Sequence, residues 1–190
     1  MKTFIQSIRF TIVFCAFLAV FYVLILWLYG QFVSPNSGNA EVVTCNGKVV
    51  GAANVGQQFT QDIYFWGRPS CAGDGYDGTS SAGSNKGVTN PEYLAEVEDR
   101  IDTFLAKHPY LQRSEVPAEM VTASASGLDP HITPASAMVQ VERVAKARGL
   151  DVATVRQLVE EQTESPFLGI FGPEKVNVLK LNVALDEYKN

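Results

Sequence analysis

FTIVFCAFLAVFYVLILWLYG, running from Phe10 to Gly30, contains no charged residue. At about 1.5 Å per residue it extends roughly 31 Å as a helix, close to the hydrocarbon thickness of a bilayer. A helix satisfies its own backbone groups in lipid, so this stretch reads as a transmembrane helix. The alternative is a cleaved signal peptide, whose apolar core is shorter and ends in a small-x-small site. Here the run closes on Leu26, Trp27, Leu28 and Tyr29, bulky residues suited to the membrane interface. Lys2 and Arg9 precede it and no basic residue follows until Lys48. The positive-inside rule then puts residues 1–9 in the cytoplasm and residues 31–190 outside, at the cell (inner) membrane.

Everything after the helix reads as a linker, residues 31–40, and one extracytoplasmic domain, residues 41–190. That part carries all 20 acidic residues and 13 of the 15 basic ones, a net charge of −7. Such a balance excludes a basic nucleic-acid footprint. Cys15 lies in the anchor, and Cys45 and Cys71 lie outside, where an oxidising compartment would permit a disulfide between them.

Local signals divide the outer domain. Valines at 42, 43, 49 and 50 flank Asn46-Gly47, a tight-turn dipeptide, so a hairpin is expected there. Residues 67–90 are rich in Gly, Ser, Asn and Asp and read as one long loop, of the kind that is usually functional or disordered. Asn90-Pro91 is a helix start, with Leu94, Val97, Ile101, Phe104 and Leu105 on one face. Thr133-Pro134 opens a second helix expected to run unbroken to Arg148, with Gly149 as its stop. Asp151 is placed to cap a third; Asn177 to Tyr188 fits a strand or a helix, and a helix capped by Asn177 is favoured. His108, before Pro109, reads as an exposed helix end. The fold class is α+β, with helices outweighing a small sheet.

Several motifs are too specific for filler. They are Tyr64-Phe65-Trp66-Gly67-Arg68-Pro69-Ser70; Ser81-Ala82-Gly83-Ser84-Asn85; Thr122-Ala123-Ser124-Ala125-Ser126-Gly127-Leu128-Asp129-Pro130-His131-Ile132-Thr133-Pro134; Arg143 to Gly149; and Val176-Asn177 through Asn182. In this order behind one anchor, they resemble the C subunit of the Kdp-type potassium-transporting ATPase, over nearly the whole chain. The family often has Gly where this chain has Ala125, and Cys45 and Cys71 fall outside its pattern. The resemblance implies an accessory subunit that partners a channel-like, potassium-binding A subunit and a P-type B subunit that hydrolyses ATP. It further implies a catalytic chaperone that raises the ATP affinity of the B subunit. ATP and potassium would then be handled by the complex, with no cofactor bound directly by this chain and no catalytic or metal-binding residue in it. The motif residues Gly67, Arg68, Pro69, Ser70, Gly83, Ser84, Asn85, Ser124, Ser126, Gly127, Asp129, Pro130, His131, Asn177 and Asn182 become candidate interface positions.

Catalysis has a rival claim on the same residues. Ser124 or Ser126 with Asp129 and His131 invites a membrane-anchored envelope serine hydrolase, but the G-x-S-x-G elbow is absent. Turn-making is the simpler use of Asp129-Pro130 and its neighbouring hydroxyls. His108 and His131 are too far apart in sequence for a zinc motif. Gly78 to Gly83 has a P-loop frame but lacks the following Lys and Ser/Thr. Arg68, between Gly67 and Pro69, offers a planar fork for a carboxylate in the domain or on a partner.

Overall fold

The computed structural model describes residues 1–188. It divides into two units, residues 1–41 and residues 42 onward.

The first unit is helix α1, Lys2–Phe32, long and apolar enough to cross a membrane. It extends past both ends of the charge-free run, and a π-helical turn, Leu18–Tyr22, interrupts its α-helical geometry. After it the chain turns through Asn36 and Ser37, both at positive φ (54° and 51°), and Asn36 Nδ2 donates to the Ala40 carbonyl at 2.8 Å.

The second unit opens with the expected hairpin. Strands β1 (Val42–Cys45) and β2 (Lys48–Ala52) pair antiparallel around Asn46 and Gly47, at φ 49° and 75°. Two positive φ angles in succession are what a two-residue turn matched to strand twist requires. Residues 53–89 then run without helix or strand, yet Phe65 and Ala72 within them are fully buried. Helix α2, Pro91–Lys107, starts where expected, with Asn90 accepting from the Tyr93 amide. Only Phe104 on it is buried, and Leu94 stays half exposed.

The core lies under the remaining elements: β3 (His131–Ile132), α3 (Pro134–Met138), α4 (Val141–Arg148), α5 (Val152–Glu161), β4 (Thr163–Glu164), β5 (Lys175–Asn177) and α6 (Val178–Glu187). Strands of two or three residues form a second sheet in the order β3-β5-β4, all antiparallel. Val141, Val144 and Ala145 of α4 meet Val155 and Val159 of α5 and Leu181 and Leu185 of α6, all buried. The periods of three and four along each helix are those of an amphipathic stripe.

Four expectations need correction. The helix opened by Thr133 breaks at Val139-Gln140, where the Gln140 amide turns to the Ala137 carbonyl and the Gln140 side chain takes the Ser136 carbonyl that the helix ladder would have used. Asp151 occupies the N-cap position of α5 but its side chain makes no capping hydrogen bond. Cys45 and Cys71 are free thiols: Cys45 receives a contact from Asn46 Nδ2 at the hairpin tip, and Cys71 sits in the loop between Ser70 and Ala72. His108 is wholly buried rather than an exposed end.

Candidate functional site

Most of the motif segments converge on two adjoining networks in the second unit. In the first, the 67–76 loop is sewn to the 122–131 loop. Arg68 Nη1 pairs with Asp129 Oδ2 at 3.3 Å, and the other Asp129 oxygen accepts from the His131 amide at 3.0 Å. Ser70 Oγ donates to the Gly127 carbonyl at 2.6 Å and accepts from the amides of Ala72 and Tyr76. The Ser124 amide donates to the Pro69 carbonyl, and Ser124 Oγ, buried, accepts from the Gly127 amide at 2.9 Å. Exposed Ser126 accepts from the Leu128 amide through its hydroxyl, while its carbonyl accepts from Ser81 Oγ.

Close backbone approach explains the glycines here. Gly127 has φ 69°, and a Cβ on it would lie 2.7 Å from both the Ala72 methyl and the Ala82 carbonyl oxygen. A Cβ on Gly83 would meet the Ala125 carbonyl oxygen at 3.0 Å. The Tyr76 hydroxyl donates to the Arg68 carbonyl at 2.6 Å, and burial together with the Asp129 charge pushes its pKa up to about 12. Trp66, Gly67, Arg68, Tyr76 and Lys107 line an open cleft of about 440 Å³ beside this network.

The second network binds residues 62–66 to the helices. Asn182 accepts from the Phe65 amide at 2.8 Å and donates to the Phe65 carbonyl at 3.0 Å. Gln140 does the same for Trp66, at 2.8 and 3.2 Å. Two side-chain amides thus supply the ladder that a neighbouring strand would have supplied, which meets the rule that buried backbone groups be paired. Buried Arg143 donates to the carbonyls of Asp62 and Tyr64 (2.7 and 3.0 Å), to Gln140 Oε1 (2.8 Å) and to His108 Nε2 (3.0 Å). Its guanidinium carbon lies 4.0 Å from the centre of the Trp66 ring. Arg148 donates to the Ile63 carbonyl and to Asp186, which also accepts from the Tyr64 hydroxyl.

His108 belongs to this network. Its Nε2 accepts from Arg143, so the neutral ring carries its proton on Nδ1, which donates to the Phe104 carbonyl at 2.7 Å. The ring stacks on Phe104 with centroids 4.0 Å apart. Burial, helped by the Arg143 charge, lowers its pKa to about 4. A protonated Nε2 would aim its hydrogen at the guanidinium.

The family model described as "K+-transporting ATPase, c chain" matches residues 4–187. The chain is 74% identical to the potassium-transporting ATPase KdpC subunit of Bacteroides fragilis (strain YCH46) and 70% identical to that of Bacteroides thetaiotaomicron, both chains covered fully. The subunit of Flavobacterium johnsoniae, again covered fully, is 48% identical. The chain belongs to the KdpC family.

In this KdpC-family chain the sequence candidates fall into place unevenly. Gly67, Arg68, Pro69, Ser70, Ser124, Ser126, Gly127, Asp129 and His131 meet in the first network, with Pro130 buried in its 122–131 loop. Asn177 caps α6 by accepting from the Lys180 amide and also donates to the Ala53 carbonyl at 2.7 Å, tying down the chain after the hairpin. Ser84 is half-buried and Asn85 is exposed at φ 52°. The hydrolase reading gains no support: both serine hydroxyls accept from backbone amides, and the His131 ring lies 3.8 Å from an Asp129 oxygen that the His131 amide already engages. Burial and Lys175 lower the His131 pKa. The Gly78 to Gly83 frame is not followed by a helix until Pro91. Among the described residues, no group of three or more His, Cys, Asp and Glu could hold a metal ion. Sequence reasoning missed Gln140 and the burial of His108, whose partners lie far along the chain. It also passed over residues 165–173, SPFLGIFGP, whose uncharged apolar run between Glu164 and Glu174 was a usable signal.

Proposed function

We propose that this chain is a non-catalytic accessory subunit of a high-affinity, ATP-driven potassium uptake pump, assembling or stabilising the complex. In this reading α1 anchors it in the inner membrane with the N-terminus in the cytoplasm and residues 31–190 outside. Its partners are the channel-like, potassium-binding A subunit and the P-type ATPase B subunit. Any chaperone effect on the ATP affinity of the B subunit is then transmitted through the complex, since an outer domain does not meet cytoplasmic ATP.

One observation carries the non-catalytic reading: the polar side chains of the family motifs spend their hydrogen bonds on the chain's own backbone. Ser70, Arg143 and Asn182 each hold a distant segment in place, and Ser124 closes its own turn. Groups so engaged give the domain a fixed shape and are poor nucleophiles or bases. The names of the relatives support membership of a potassium-transporting ATPase. Co-purification through a tag on this chain tests the reading: the other pump subunits are expected to come with it, and their absence would contradict it. A topology reporter fused at Asn190 is expected to be active only outside the cytoplasm.

A further inference from the structure

Among the described residues, the second unit carries one apolar projection with nothing packed over it. Between β4 and β5, Phe167, Leu168, Ile170 and Phe171 are 72%, 74%, 76% and 60% exposed. Among the described residues, the other large apolar side chains of this unit with 60% or more exposure are two valines far apart in sequence, Val49 and Val88. Single exposed apolar residues are ordinary, whereas four within five positions mark an interaction site.

The projection is built to keep its shape. The Phe167 amide donates to the Phe171 carbonyl at 3.0 Å and the Phe171 amide donates back at 2.9 Å. The Gly169 amide closes on the Pro166 carbonyl at 2.8 Å. Leu168 is held at φ 54°, a conformation that glycine or asparagine adopts more readily. A leucine kept at that angle is strained, its exposure to solvent is a separate cost that a covering surface would remove, and such outliers concentrate at functional positions. Because the backbone is already closed, little ordering is left to oppose docking.

Charge selects the kind of surface that covers it. No charge lies between Glu164 and Glu174, and Glu160 and Glu161 are exposed at the end of α5. Lys175 and Lys180 are both engaged by Glu164, at 3.4 and 3.9 Å, which leaves Glu160, Glu161 and Glu174 to set the charge around the loop. Loops that bind lipid surfaces draw on Lys and Arg beside their apolar residues, and this one has an acidic neck instead. We infer that residues 166–172 form a preformed docking finger that inserts into an apolar cleft with a basic rim on another subunit of the pump. The inference rests on the accessory-subunit reading.

The test uses the full chain expressed with the other pump subunits. The tagged unaltered chain reads the accessory role: failure to recover other subunits would overturn that role. Given recovery, Leu168→Asn reads the finger. Asparagine suits the positive φ, so the variant is expected to melt no lower than the unaltered protein while recovering about tenfold less of its partner, the scale of a central interface side chain. Phe167→Asp/Ile170→Asp is expected to lose more. A photo-crosslinker at position 170 is expected to join the finger to one pump subunit, at a peptide that combines apolar residues with Lys or Arg. Unchanged recovery for the double variant, or crosslinking to lipid alone, would overturn the docking finger and leave the accessory role standing.

Discussion

Residues 62–68 and residues 165–173 are both irregular backbone between regular elements, and they put that irregularity to opposite uses. In the first, Phe65 is wholly buried and side chains from α4, α6 and the end of α2 bind or pack against the segment. In the second, the backbone closes on itself and the apolar side chains face solvent. Lack of helix or strand therefore says nothing about rigidity or role. What distinguishes the two is where the hydrogen bonds go: one segment is held by the core, the other only by itself.

The comparison breaks most visibly at Arg143. Removing it leaves the carbonyls of Asp62 and Tyr64, together with His108 and Gln140, short of a buried donor, so Arg143→Ala is expected to cost about 3–5 kcal/mol, as when one partner of a buried charged network is removed. For a domain of this size each kcal/mol is worth roughly 2–4 °C in Tm, readable in a thermal melt. Arg143→Lys is also expected to destabilise, because an ammonium cannot reproduce the planar fork.

Acid probes the same region less violently. His108 has a pKa of about 4 when folded against 6.5 when free, so between those values the unfolded chain binds more protons. The associated stability is fully present above about pH 6.5 and is lost as pH falls toward 4. A shift of this size corresponds to roughly 3 kcal/mol. Urea unfolding at pH 7 and pH 4.5 is expected to show a smaller pH dependence for His108→Gln than for the unaltered protein.

The same substitution made in two loops sharpens the contrast. Gly127→Ala places a methyl against backbone at positive φ and is expected to cost about 1–3 kcal/mol. Gly169→Ala has a similar φ of 75° but open space around it, so only the intrinsic penalty of about 1 kcal/mol remains. Smallest of all, Ile170→Asp in the finger is expected to change stability by no more than about 0.5 kcal/mol, as for surface positions generally.

Signals that act over a few residues were legible in the sequence. Asn46-Gly47 forced its turn, Asn90, Thr133 and Asn177 capped the helices they precede, and Gly149 ended α4 at φ 67°. Contacts across the chain were not. Gln140 bonds Trp66, 74 residues away, and buried His108 bonds Arg143, 35 residues away. Strands of two or three residues are too short to show an alternating pattern, so β3, β4 and β5 left no trace. Of the candidate site, the convergence of Arg68 with Asp129 was foreshadowed by the chemistry of the guanidinium, whereas the role of Asn182 as a surrogate strand partner was not.

The central claim is that the motif residues hold the domain in shape and do no bond-breaking. It is tested most directly by ATPase turnover per assembled pump carrying Ser126→Ala or His131→Ala. Removing a catalytic nucleophile or base costs orders of magnitude in rate, whereas removing one hydrogen bond costs about 1–3 kcal/mol of stability at most. The account predicts that both variants assemble and turn over at essentially the unaltered rate. A fully assembled, well-folded complex without ATPase activity in either variant would contradict it.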